Sequence, residues 1–130
     1  MLSWSWRISE LVGREFDWFA IDCAGHFGMF STAGFGPVPQ AVSRHLGEHD
    51  AISDSIPSPS FGSADVWNDF AAVGLYVYDW DGKRYTRVAV PAGGLPPALR
   101  AKLGELFAVP SMTCSFDDDT EIVAVDVEGT

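Results

Sequence analysis

The sequence predicts an α+β domain, an antiparallel sheet of about four to six strands with two or three helices packed on one face. Three observations carry that expectation. Short β-prone runs meet across tight glycine turns at residues 16–32 and 75–91, and apolar residues recur at helical spacing in the stretches between. Strands joined mostly by short turns pair antiparallel, which leaves a face for the helices. The 130 residues fit one domain, so 1–130 is read as a single unit. With 47% hydrophobic and 13% aromatic residues, the chain can fill a core without disulfides or metal.

Trp4, Trp6, Ile8, Leu11 and Val12 open the chain as a short strand or a short helix, and the pattern allows either. Residues 16–22 and 27–32, joined through Ala24-Gly25, read as a β-hairpin. Gly34, Gly36, Pro37 and Pro39 then end the strand pattern. Val38, Ala41, Val42 and Leu46 give helical spacing over 38–49, with Pro39 suited to the first turn. The Ser/Pro/Asp-rich run at 50–63, DAISDSIPSPSFGS, reads as a surface loop. Ser63 or Asp65 then caps a short helix through Trp67, Phe70 and Ala71, closed by Gly74.

LYVYDW and RYTRVAVP are strands joined by Asp81-Gly82, the strongest hairpin signal in the chain. Alternation puts Tyr76, Tyr78 and Trp80 on one face and Leu75, Val77 and Asp79 on the other. One of these faces is open to two readings, helix-covered core or partner-facing surface. Leu95, Leu99, Leu103, Leu106 and Phe107 form the apolar stripe of a further helix. MTCSF and EIVAVDV, flanking DDDT, read as a last pair of strands.

No motif predicts a catalytic residue. Gly34-Phe35-Gly36 begins like a dinucleotide fingerprint, but the third glycine falls at Pro39. His45-Leu46-Gly47-Glu48-His49 fits the H-x-x-E-H pattern, in which His45 and His49 would bind zinc while Glu48 activates water. Against this, Gly47 weakens the helix by about 1 kcal/mol relative to Ala. Histidines at a helix end also suit the negative end of its dipole without any metal. The leading expectation is therefore no metal and no cofactor, with His45 and His49 as the metal-binding alternative. Asp117, Asp119 and Glu121 alternate like calcium ligands, but Ile122 stands where the loop requires glycine. Cys23 and His26 flank a turn without a group to orient the base, and Ser31, Ser60 and Ser115 lack a G-x-S-x-G setting.

Charge narrows the partner. Eight Lys and Arg against eighteen Asp and Glu give a net charge of -10 and a pI near 4.4. Nucleic acid and anionic membranes are repelled, whereas a basic protein is attracted. No apolar run reaches the ~20 residues of a membrane span, and no secretory leader is evident. Two cysteines without a CxxC pair fit a reducing cytoplasm. Carboxylates crowd the predicted turns and the last strand, beside aromatic residues, and such mixtures suit a binding face. The predicted partner-binding residues are Asp79, Trp80, Asp81, Asp117, Asp118 and Asp119.

The pattern D-W-F-A-x-D-x-x-G-x-x-G-x-F at residues 17–30 runs on to G-x-x-P-x-P at 34–39, followed later by GLYVYDW and RVAVP. Together these resemble a group of small acidic bacterial proteins that are similar in character to polymorphic-toxin immunity proteins. The resemblance implies a non-enzymatic cytoplasmic domain that neutralises a basic toxin through an acidic surface, and a motif that is structural. Two other readings stand beside it: a small zinc-dependent hydrolase using His45, Glu48 and His49, and a homo-oligomeric subunit joined through the aromatic strand.

Overall fold

Alternation along the strands sorts their side chains into two sets, and both sets are buried. The computed structural model describes residues 15–105, 109–128 and 130. The opening element at 4–12 and the helix positions Leu106 and Phe107 lie outside them. The chain is an α+β fold. Five strands, β1 (Asp17–Ile21), β2 (Phe27–Ser31), β3 (Tyr76–Trp80), β4 (Arg84–Ala89) and β5 (Glu121–Val123), form one sheet in sequence order. The helices among the described residues are α1 (Gln40–Ser43), α2 (Leu46–Ser55), α3 (Val66–Ala72), α4 (Pro97–Glu105) and α5 (Ala124–Glu128).

Three of the four pairings are antiparallel. The fourth, β2 with β3, is parallel, so the expected antiparallel sheet is mostly antiparallel with one parallel pair. Parallel neighbours need a long crossover, and the stretch between β2 and β3 carries α1, α2 and α3. On one face, Phe19, Phe27, Met29, Leu75 and Val77 pack with Ile52 and Ile56, Phe70, and Leu99 and Leu103. These last residues belong to, or directly follow, α2, α3 and α4, so three helices do share one face as expected. On the other face, Trp18, Phe30, Tyr76, Tyr78 and Tyr85 pack beneath Met112, Phe116 and Val127. The aromatic face of β3 is therefore core, which removes it as a dimer interface.

The D-W-F-A-x-D motif is explained by this double burial. Phe30 lies between Trp18 and Tyr78, its ring stacked 4.2 Å from one and 4.9 Å from the other. Trp18 donates its indole N–H to the Tyr85 hydroxyl at 3.2 Å, and that hydroxyl donates to the Pro37 carbonyl. Gly36 sits under the same phenol, and a Cβ there would collide with the Tyr85 hydroxyl. Asp22 closes the first turn, which spans residues 22–26 instead of two residues, with the Asp22 N–H bonded to the His26 carbonyl.

Three further expectations change. The helix predicted over 38–49 breaks at Arg44–His45, with Pro39 capping α1 from outside. The second piece runs on to Ser55, because His49 and Ile52 continue the buried stripe begun by Leu46. MTCSF is not a strand. Its backbone groups are taken one by one by Ile21, Cys23, Tyr78 and Arg87, and only Ser111 forms a single bridge, to Ile21. EIVAVDV is a strand only to Val123 and then turns helical.

Candidate functional site

The predicted partner residues divide into two groups. Asp79, Trp80 and Asp81 lead into the β3–β4 turn, whereas Asp117 accepts a hydrogen bond from the Tyr76 hydroxyl at the start of β3. From Tyr76 to Trp80 the strand advances about 13 Å. Most of these side chains serve the fold. The Asp81 carboxylate accepts from the Lys83 and Arg84 N–H groups and the Thr86 hydroxyl, and these donors hold its pKa below the usual range. Asp119 accepts from the Ser115 N–H, and its carbonyl receives the Tyr78 hydroxyl. Trp80 packs edge-on against Tyr85 at 5.2 Å. Asp117 and Asp118 are the exposed members of the loop.

The H-x-x-E-H segment does not assemble a zinc pair. His45 precedes α2, and its Nδ1 meets the Glu48 carboxylate at 2.9 Å. His49 is fully buried, stacked on Phe19, with Nδ1 accepting the Phe19 N–H at 3.1 Å. Side chains committed in these two ways do not converge on one ion. Among the described residues no group of three or more His, Cys, Asp or Glu side chains is placed to hold a metal.

A different acidic feature follows from strand register. Paired residues on neighbouring strands share a face. Asp17 pairs with Ser31, Ser31 with Asp79, Asp79 with Thr86, and Thr86 with Glu121. A polar row therefore crosses all five strands on the helix-covered face, where the apolar rows of Phe19, Met29 and Val77 end. The Ser31 hydroxyl in this row is fully buried and has no hydrogen-bond partner.

Beside the row opens a cleft of about 970 Å³, walled by the start of β1, the end of α2, residues 56–64 and α3. Its aromatic lining is Phe16, Phe61, Trp67 and Phe70. Phe61 stands 86% exposed, a large apolar side chain offered to solvent. Glu15, Asp17 and Asp54 supply three carboxylates, and the described lining contains no Lys, Arg or His. Asp17 accepts the Ser53 hydroxyl at 2.8 Å. Burial drives its pKa up; the Ser53 bond opposes this, Glu15, Asp50 and Asp54 add to it, and the result is about 6. Burial, then Glu15, also raises the pKa of Asp79. The arrangement can receive a cation whose apolar stem lies on the aromatic wall.

Sequence reading missed this cleft because its walls come from two separate stretches, 15–17 and 53–70. The one local signal was Phe61 in a Ser/Pro-rich loop, an aromatic with no periodic partner. Protein-family models, curated proteins and solved structures were compared with the chain, and none matches it. No helix among the described residues is long and apolar enough to cross a membrane.

Proposed function

We propose that this domain is a non-enzymatic binding protein for a basic protein partner, as expected of an immunity protein that blocks a cationic toxin. The cleft carries the reading. Three carboxylates, with no Lys, Arg or His among the described lining residues, on an aromatic wall with Phe61 at its rim, complement an arginine or lysine side chain presented by a partner. A cation beside Asp17 would relieve the strain that burial and neighbouring carboxylates place on its ionised form. The net charge of -10 adds long-range attraction that speeds encounter and weakens with salt. Asp117 and Asp118, on a separate loop, contribute to this field.

Co-purification from the native host tests the reading when wild type is run beside Asp17→Asn, Phe61→Ala and a charge reversal of Asp117 to Asp119. The expected result is a basic protein held at low salt, released at high salt, and lost from both cleft variants while the reversed loop weakens it modestly. Equal retention by wild type, Asp17→Asn and Phe61→Ala would overturn the cleft as its seat. Retention unaffected by salt would overturn the charge argument.

A further inference from the structure

The chain has two cysteines, far apart in sequence, and the fold brings their backbones into direct contact. The Cys23 N–H donates to the Cys114 carbonyl at 3.0 Å. Such a contact leaves the two α-carbons about 5–6 Å apart, inside the roughly 4.4–6.8 Å window that a disulfide spans. Both sides of the contact are anchored. Ile21 bonds Pro110 and Met112 in the preceding residues, and the Asp22 carboxylate accepts the Phe116 N–H in the following ones. Both thiols are free, Cys23 exposed and Cys114 half-buried.

We propose that Cys23 and Cys114 form a modification site, an intramolecular disulfide made by exchange with a low-molecular-weight disulfide such as oxidised glutathione. Cys23, the accessible thiol, attacks first as thiolate. Its sulfur bonds one glutathione sulfur, and the other glutathione leaves as thiolate. Cys114 then gives its proton to solvent and attacks the Cys23 sulfur, releasing the second glutathione. Two protein thiols are oxidised and one glutathione disulfide is reduced to two thiols. Burial, with Asp119 adding to it, pushes the Cys114 thiol up to about 11, so the second step is the slower one at neutral pH. The product would fasten the 22–26 turn to the 110–119 segment, which carries Asp117 to Asp119.

The test equilibrates the full chain with glutathione buffers of rising oxidised fraction, blocks remaining thiols, and reads intact mass and linked peptides. Folded wild type should lose both thiols together, yield a Cys23–Cys114 peptide, and reach half-oxidation in a buffer at least about tenfold less oxidising than it needs in concentrated urea, because folding raises the effective concentration of one thiol at the other. Cys114→Ser, checked for native fluorescence, should instead accumulate glutathione on Cys23. A stable glutathione adduct on folded wild type equal to that on Cys114→Ser would overturn the proposal. So would equal midpoints with and without urea.

Discussion

Replacing Asp22 tests the argument that one buried carboxylate fastens the first hairpin to the chain's C-terminal segment. Its side chain is fully buried. One oxygen accepts the N–H groups of Ala24 at 3.0 Å and His26 at 2.8 Å, and the other accepts that of Phe116 at 2.8 Å. Asp22→Ala strands the buried Phe116 N–H, at about 1–3 kcal/mol, and removes two partly exposed charge-assisted bonds worth about 1 kcal/mol each. The expected loss is about 3–5 kcal/mol, a large share of the roughly 5–15 kcal/mol that holds a domain of this kind. Asp22→Asn keeps one oxygen but turns an amide N–H₂ toward the Phe116 N–H, so about 2 kcal/mol is lost.

The pH dependence follows from the same contacts. Burial alone would raise the Asp22 pKa, but the Phe116, His26 and Ala24 donors outweigh it and hold the carboxyl below its ordinary value. A group with a depressed folded pKa stabilises above its unfolded value near 3.9, and that contribution is lost as pH falls through the folded value. The gap between wild type and Asp22→Asn should therefore be constant from about pH 5 to 8 and shrink below about 4. Urea unfolding followed by tryptophan fluorescence reads both effects, with a midpoint shift of roughly 2 M for Asp22→Ala. A loss below about 1 kcal/mol at neutral pH would refute the fastening role.

The remaining predictions concern the cleft and the core. Asp17 has a raised pKa, so the folded state holds its proton more tightly. Its contribution to stability should be fully present below the unfolded value near 3.9 and be lost as pH rises through about 6. Asp17→Asn should remove that fall and add about 1–2 kcal/mol at pH 8 in urea titrations, partial solvent screening included. Phe61→Ala should leave the unfolding free energy from urea titration unchanged within about 0.5 kcal/mol, since the ring is largely exposed. Ser31→Ala should be neutral or stabilising by about 1 kcal/mol, because no hydrogen bond is lost from the unpartnered hydroxyl. Gly36→Ala should cost about 1–3 kcal/mol in a calorimetric scan, as the Tyr85 phenol is forced off the Pro37 carbonyl.

Local chemistry was legible in the sequence and distant chemistry was not. Asp81-Gly82 announced its hairpin because the turn needs only its own residues, and Gly82 does take a positive φ of 98°. Gly74, at 90°, likewise ended α3 where expected. MTCSF carried a strand-like alternation, yet it became an irregular strap because partners remote in sequence claimed its backbone groups. DAISDS looked like loop from its Ser and Asp content, and tertiary burial of His49 and Ile52 made it helix. The parallel β2–β3 pairing left no local mark at all. Of the predicted contact residues, Asp81 and Asp119 proved to be structural acceptors, while the cleft was hidden because no single window of sequence contains it.

The polar row across the five strands has a consequence for how the sheet chooses its alignment. A strand shifted by two residues keeps its inward and outward faces, so side-chain alternation cannot reject it. Here such a shift of β2 along β3 would set Met29 opposite Asp79, and a shift of β1 along β2 would set Asp17 opposite Met29. Either carboxyl would be driven among apolar side chains at a cost of several kcal/mol. Asp17 and Asp79 in the polar row thus act as a stop against these two shifts. Neutralising Asp17 and Asp79 together would loosen this alignment while leaving Glu15 and Asp54 as the carboxylates of the cleft.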